Sequence, residues 1–442
     1  MMDKRIRRFQ TTIEATFGSH FLVDYRFRAA TGSDLETAAY NILCLSSVGS
    51  LSVLPHQKGY AQGRLDATVS EFGGYLPHQH ESGSVTIAYP LDHCTPAESL
   101  PGLMQLISAG AEYSYTEEYW IERLTLPQAF IDRYRGPRFG TDGWRTLLEV
   151  GHRAVLGLTI GPRFGVRLDD VASQASDALI GGCDFICDDV LLNDPVGEMR
   201  FAARVPRLVE IAADASAKAG TKKSYFAFVL GTPKRSLERA IWAVEQGVDA
   251  IITNAAALGL GGVEDLVSGL EEAGRSVPVI TTNMGVALTS RAPADGGNRL
   301  SKTGMSEAVF AKLCRLAGAD GVHTGTVGAE CYGEMEWNRI SRDVVEKLGN
   351  TNPCYSVAAG NLGLAQVWEN ISQLGPDVML EVSSGILNYP GGAKAGAAAF
   401  RKLADALDSD HMTNEEAEEA IGKITANDRV LRDVLEAEWK NE

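Results

Sequence analysis

Two aspartates, Asp188 and Asp189, close an apolar run that spans Cys183–Cys187, and Val190 follows them. Paired acids at the end of a buried strand suit a divalent cation or proton transfer. Here a thiol precedes the pair and an apolar side chain follows it, so the donor set for a hard cation is incomplete. Asp189 reads either as a base that orients a substrate hydroxyl or as a structural carboxylate paired with Arg163. Asp188 reads as structural. Cys187 is expected at a pocket mouth, as a nucleophile or proton carrier, or as a small apolar filler with no sequence-adjacent histidine to activate it. His323 suits acid–base work near neutral pH, with a hydrogen-bonded core histidine as the plainer reading.

The elements that position these residues follow from periodicity. From about residue 150, short β-rich apolar runs alternate with longer helical segments. The expected strands are 155–160, 183–187, 225–230, 250–254, 278–282, 321–325, 354–358 and 378–383, with helices such as 235–247, 306–318 and 394–407 between them. Eight β–α units of this length fit a (β/α)8 barrel, ahead of a doubly wound sheet. In such a barrel, chemistry collects at the C-terminal strand ends. Those ends supply Thr159, Arg163, Cys187, Asp188, Asp189, Asn254, Thr282, Asn283, His323, Thr324, Asn361, Ser383 and Ser384 as candidates. The first 130 or so residues show no such repeat. Strands at Phe21–Ala29, Ser84–Leu91 and Tyr119–Pro127, with helices at Ser33–Leu43 (Ser33 as N-cap, Glu36 three residues on) and Leu100–Gly110, imply an α+β sandwich. The charged C-terminal stretch reads as helical and packed outside the barrel.

Bulk properties narrow the function class. The chain has 442 residues, 45% hydrophobic and 22% charged, enough for a sizeable core. A net charge of −16 argues against a nucleic-acid partner. The seven cysteines (Cys44, Cys94, Cys183, Cys187, Cys314, Cys331, Cys354) are scattered, with no zinc spacing; free thiols in a reducing cytoplasm are expected. The basic start lacks the apolar core of a secretory signal, and no apolar stretch of about 18 residues suggests a membrane span.

Several strand ends, in order, resemble the RuBisCO large-chain superfamily. GPRFGTDGWRTLL (136–148) resembles its linker into the barrel, and LTIGPRFG (158–165) its first-strand motif, usually CTIKPKLG. GGCDFICDD (181–189) resembles GGxDFxKDDE. GVHTGTVGAECYGE (321–334) resembles the sixth strand and its mobile loop. VAAGNLG (357–363) and VSSGILNYPGG (382–392) resemble two glycine-rich turns, and SDLETAAYNILCLSSVGS the amino-terminal helix and loop. The resemblance implies an α/β chain: an N-terminal α+β (ferredoxin-like) domain over 1–135, then a (β/α)8 TIM barrel with C-terminal helices over 136–442.

The same comparison implies loss of carboxylation. The family's Mg2+ ligands, a carbamylated lysine, an aspartate and a glutamate, fall on Cys187, Asp189 and Val190. The first-strand base lysine falls on Gly161 and the next lysine on Arg163. The histidine–arginine pair after strand five falls near Asn283 and Met284, and the loop-six lysine on Glu330. From the amino-terminal domain, family residues fall on Leu45, Ser50, Leu51 and near Ala111. Thr159, Asp189 and His323 are retained. Ser383 and Ser384 replace glycines of a phosphate turn, beside Gly360 and Gly385. The chain therefore resembles a divergent, form IV RuBisCO-like protein with no metal cofactor. The expected function is a metal-independent isomerase, tautomerase or lyase on an enolisable keto-sugar or sugar-acid with at most one phosphate. Asp189, His323, Cys187 and Arg163 are its catalytic candidates. Thr159, Asn283, Glu330, Gly360, Asn361, Ser383 and Ser384 are the expected binding residues, and Arg163 is a candidate ion-pair partner of Glu330. The alternative is a non-catalytic binding or structural protein. The resemblance also implies a homodimer or higher even oligomer, with neither membrane nor nucleic acid as partner.

Overall fold

The computed structural model describes residues 18–47, 68–72, 82–91, 99–282, 284–286, 303–327, 340, 344–407 and 412–440. The chain forms two compact units. One comprises Met1–Tyr134 with Gly285–Leu313 and Gly349–Thr351; the other comprises Arg135–Met284, Cys314–Leu348 and Asn352–Glu442.

The first unit is built on a five-stranded mixed sheet. β1 (His20–Ala29) lies between β3 (Ser82–Pro90) and β4 (Thr116–Thr125), antiparallel to both. β2 (Thr68–Phe72) pairs antiparallel with β3, and β10 (Thr303–Met305) pairs parallel with β4. Tyr25 and Phe27, two residues apart and so on one face of β1, stack at 5.0 Å. Tyr25 and Tyr119 both donate a hydroxyl hydrogen bond to Ile107 O, at the end of the helix Leu100–Ser108. This ties an apolar-striped helix to the sheet and gives the expected α+β unit its core. The helix expected to be capped by Ser33 starts one residue later, at Leu35. Asp34 Oδ1 accepts the Thr37 N–H at 2.7 Å, because a carboxylate in that place satisfies a free donor of the first turn better than a hydroxyl one residue too early.

The second unit is a closed, all-parallel barrel of eight strands: β5 (Val155–Thr159), β6 (Phe185–Cys187), β7 (Ser224–Phe228), β8 (Ala250–Asn254), β9 (Val279–Thr282), β11 (Gly321–His323), β12 (Tyr355–Ala359) and β13 (Val378–Val382). Each falls within a run expected to be a strand, except that β7 begins one residue early, at Ser224, and β12 ends one residue late, at Ala359. The interior is filled with side chains. Val155, Phe185, Phe226, Ile252, Ile280, Tyr355, Val357 and Met379 form one buried cluster with Trp144. Phe185 and Phe226 stack at 4.3 Å between centroids. Their bulk needs a gap on the neighbouring strand: a Cβ at Gly157 would collide with the Phe185 ring. At the N-terminal ends, Arg153 grips Asp184 with two hydrogen bonds (2.7 and 2.8 Å), and Trp144 Nε1 donates to Asp320 O. The C-terminal stretch forms helices Asn414–Ala426 and Arg429–Trp439, capped by Thr413 with Glu416 and by Asp428. No helix among the described residues is long and apolar enough to cross a membrane.

Candidate functional site

Strand alternation decides which side chains reach the inside of the barrel mouth. On β6 and the residues after it, Phe185, Cys187 and Asp189 share one side, and Ile186 and Asp188 the other. On β5, Val155, Gly157 and Thr159 align; on β13, Met379, Glu381 and Ser383 do. Phe185, Cys187, Val155 and Met379 belong to the interior cluster, and Thr159 and Glu381, on the same sides of β5 and β13, stand at its upper edge. Thr159 and Cys187 are register partners, and His323 ends β11.

These residues make one buried network. Thr159 Oγ1 donates to Glu381 Oε1 at 2.8 Å, and Cys187 Sγ lies 3.6 Å from Thr159 Oγ1 as its donor. His323 Nε2 stands 3.2 Å from Glu381 Oε2, an ion-pair distance without an aligned hydrogen bond. His323 is 6% exposed and Glu381 5%. Burial opposes ionisation of Glu381. The His323 ring and the hydrogen bonds from Thr159 and Cys187 outweigh it and hold the carboxyl below its usual range. Glu381 was absent from the residues expected on sequence grounds. Its signal was present: one acid inside an apolar strand, in phase with Met379 and Ser383.

Cys187 does not stand at the mouth. It is fully buried, and burial, then the charge of Glu381, push its thiol well above the ordinary value. A protonated, enclosed thiol is a filler and hydrogen-bond donor rather than a nucleophile. The chain's alternation turned it inward onto the core. Cys183, Cys314 and Cys354 are likewise free and buried.

The two aspartates part company. Asp188 is fully enclosed. It takes Arg204 Nε and Nη2 at 2.9 and 3.0 Å, the Tyr225 hydroxyl at 2.9 Å and the Phe228 N–H at 3.0 Å. Asp189 lies at the mouth, with Oδ1 on the Leu191 N–H at 2.8 Å and Oδ2 3.1 Å from Arg163 Nε. Arg163 remains 42% exposed.

The remaining candidates separate as follows. Ser383 Oγ donates to Thr159 O at 3.2 Å, so its hydroxyl is used within the framework. Ser384 is exposed and opens a helix of only four residues. Gly360 and Asn361 are exposed, both with positive φ (97° and 51°). Asn254 is buried, accepting from Ala257 N and donating to Met284 O. Thr282 is buried and accepts from Met284 N, and Thr324 Oγ1 faces Val357 O. In the first unit, Leu45 and Ala111 are half-buried. Asn283, Glu330, Ser50 and Leu51 lie outside the described residues.

The donor set does not fit the Mg2+ site that the family resemblance implies. Cys187 offers an enclosed, protonated thiol, and Val190 packs against the apolar cluster. Asp189 already spends its oxygens on Leu191 N–H and Arg163. Among the described residues, no three His, Cys, Asp or Glu side chains form a metal-holding group. Mg2+ demands several hard oxygens.

Comparison with known proteins places the chain. Residues 140–426 match the family model of the ribulose bisphosphate carboxylase large chain, catalytic domain, and 11–117 match the N-terminal domain of the same large chain. The chain therefore belongs to the RuBisCO large-chain family. It is 26% identical over 413 residues to the ribulose bisphosphate carboxylase of Archaeoglobus fulgidus, covering 89% of this chain and 90% of that one. It is 27% identical over 427 residues to that of Thermococcus kodakarensis, covering 90% and 92%. Among solved structures, the octameric RuBisCO of Pyrococcus horikoshii superposes with a TM-score of 0.82 at 23% identity, covering 98% of both chains. The dimeric RuBisCO of Hyperthermus butylicus also gives 0.82 at 23%, covering 97% of this chain and 98% of its own. At that identity the superpositions speak for the fold.

Proposed function

We propose that this family member is not a carboxylase but a metal-independent isomerase, tautomerase or lyase acting on an enolisable keto-sugar or sugar-acid. The observation that carries this reading is a buried thiol, Cys187, and an apolar contact, Val190, at the positions where the family resemblance puts metal ligands. Without a cation, enolisation needs a base and an electrophile from the protein itself. His323, at the end of β11 beside Glu381, is the base. It takes the proton from the carbon next to the carbonyl, the C–H electron pair enters the new C=C bond, and the carbonyl oxygen becomes an enolate. Arg163, half-exposed at the mouth, offsets that charge. Asp189 holds Arg163 and is a weaker base candidate for that reason. Thr159 commits its proton to Glu381 and so orients rather than polarises. Return of the proton to the neighbouring carbon gives isomerisation; loss of carbon dioxide from a β-keto acid reaches the same enolate. Of the charges described at the strand ends, Arg163 is already set against Asp189, which leaves no surplus cation for a second phosphate. We infer a homo-oligomer, a dimer at least, in line with the dimeric and octameric relatives.

A thermal-shift screen of sugar acids, keto acids and sugar phosphates, each with and without Mg2+, tests the reading. Stabilisation by an enolisable ligand, indifferent to Mg2+, is expected. Stabilisation that requires Mg2+, or labelled bicarbonate fixed onto ribulose bisphosphate, overturns it. The mutual burial of Thr159, Cys187, Glu381 and His323 favours a second reading, a non-catalytic barrel, and absence of any shift moves the weight there.

A further inference from the structure

Glu381 is a carboxylate inside an apolar strand, between Leu380 and Val382, both fully buried. Burying such a group is costly unless partners meet its oxygens. Asp184, in the same barrel, shows full satisfaction: two bonds from Arg153, one from Leu156 N–H and an approach of 3.5 Å from Arg401. Glu381 is held differently. Oε1 is pinned by Thr159, whose oxygen in turn receives the Cys187 thiol. Oε2 faces the His323 ring across 3.2 Å; the approach is not an aligned hydrogen bond, and neither Oε2 nor Nε2 has a hydrogen-bond partner elsewhere. Because Oε1 is pinned, the carboxylate presents one fixed oxygen to one ring nitrogen.

We propose that Glu381 is a positioning residue: it fixes the His323 proton on Nε2 and leaves Nδ1 as the atom that exchanges protons with substrate. The inference rests on the reading of His323 as the base. Its physical ground is independent of substrate. A neutral imidazole has one N–H and one bare nitrogen, and an ionised carboxylate only accepts, so the nitrogen facing it carries the proton. Nδ1, which no described residue engages, is then the bare, basic atom. When Nδ1 takes a proton, the ring's positive charge is met by Glu381 at Nε2, as carboxylates do for histidines in many sites. The assignment also accounts for an ionised acid in the barrel interior: the ring it orients faces the oxygen that Thr159 leaves unmet.

Nitrogen NMR of protein labelled with 15N in its histidines tests this directly. There are eight histidines, and His323→Gln identifies the signals of His323 by their loss. At alkaline pH, the His323 Nε2 shift is expected in the protonated range and Nδ1 in the bare range. In Glu381→Leu, which removes the acceptor, the two shifts are expected to converge, halving their separation or more, as the tautomers mix. Glu381→Gln keeps the shape and removes the charge; it guards against a Leu variant that fails to fold, and its shifts are expected to move in the same sense. A wild-type ring protonated on Nδ1, or nitrogen shifts unchanged in the folded variants, overturns the proposal. The ligand screen above can fail while this measurement succeeds, so the two readings stand or fall separately.

Discussion

Asp188 and Asp189 are chain neighbours on opposite sides of one strand, and their surroundings differ in kind. Behind β6, Asp188 and Arg204 are both fully enclosed, and every carboxylate oxygen has a partner. On the mouth side, Asp189 and Arg163 keep 20% and 42% of their side chains in solvent. The first pair has no freedom to serve chemistry, because loss of either partner strands a charge in low dielectric. The second is held by one contact that water can replace, so it can rearrange around a ligand. The same alternation puts Cys187 in the packed interior and Glu381 next to His323. A site on this scaffold is therefore a thin layer above a packed core.

The contrast can be broken in several places. Arg204→Ala should be the most damaging change, costing about 3–5 kcal/mol of stability as Asp188 is left buried and unpaired; urea unfolding measures it, and a loss below 1 kcal/mol would show that water reaches the back of β6. Gly157→Ala drives a methyl group into the Phe185 ring, which is itself stacked on Phe226. We expect about 1–3 kcal/mol of destabilisation, read from the same unfolding curves; a neutral result would mean that the barrel interior is looser than its packing.

Glu381→Gln sharpens the comparison through pH. The folded-state carboxyl lies below its ordinary value of 4.5. A depressed carboxyl adds stability above its unfolded pKa and loses it as pH falls through the folded one. The stability gap between wild type and Glu381→Gln is thus expected to be full above pH 4.5 and to close at lower pH. A gap that widens on acidification contradicts an ionised Glu381. The smallest effect is expected for Asp189→Asn: a change of at most about 1 kcal/mol, diminishing further in high salt, since exposed pairs are weak and screened. A loss comparable to that of Arg204→Ala would erase the distinction drawn between the two acids.

Much of the barrel was legible because a strand buried on both faces reads as a short apolar run between helical repeats. All eight barrel strands fall on such runs. β2 and β10 were not anticipated. TVSEF is short and mixed, and TGM has three residues with a glycine; neither carries a pattern of its own, and each is a strand because a neighbour offers its edge. Glu381 was missed for another reason. The strand-end rule draws attention to the last residues of a strand, and Glu381 lies one short of the end of β13 while still reaching the mouth layer.

By itself the sequence determined the class of fold, the order of the barrel strands and the family motifs, since these depend on residue type and local period. The partners of each charge were decided only by the tertiary structure. Arg204 lies 16 positions from Asp188 along the chain, and Glu381 lies 222 from Thr159. No local pattern encodes such pairs. Closure of eight strands into a ring brings β13 beside β5, and that closure turns a glutamate, a histidine, a threonine and a cysteine from separate strands into one network.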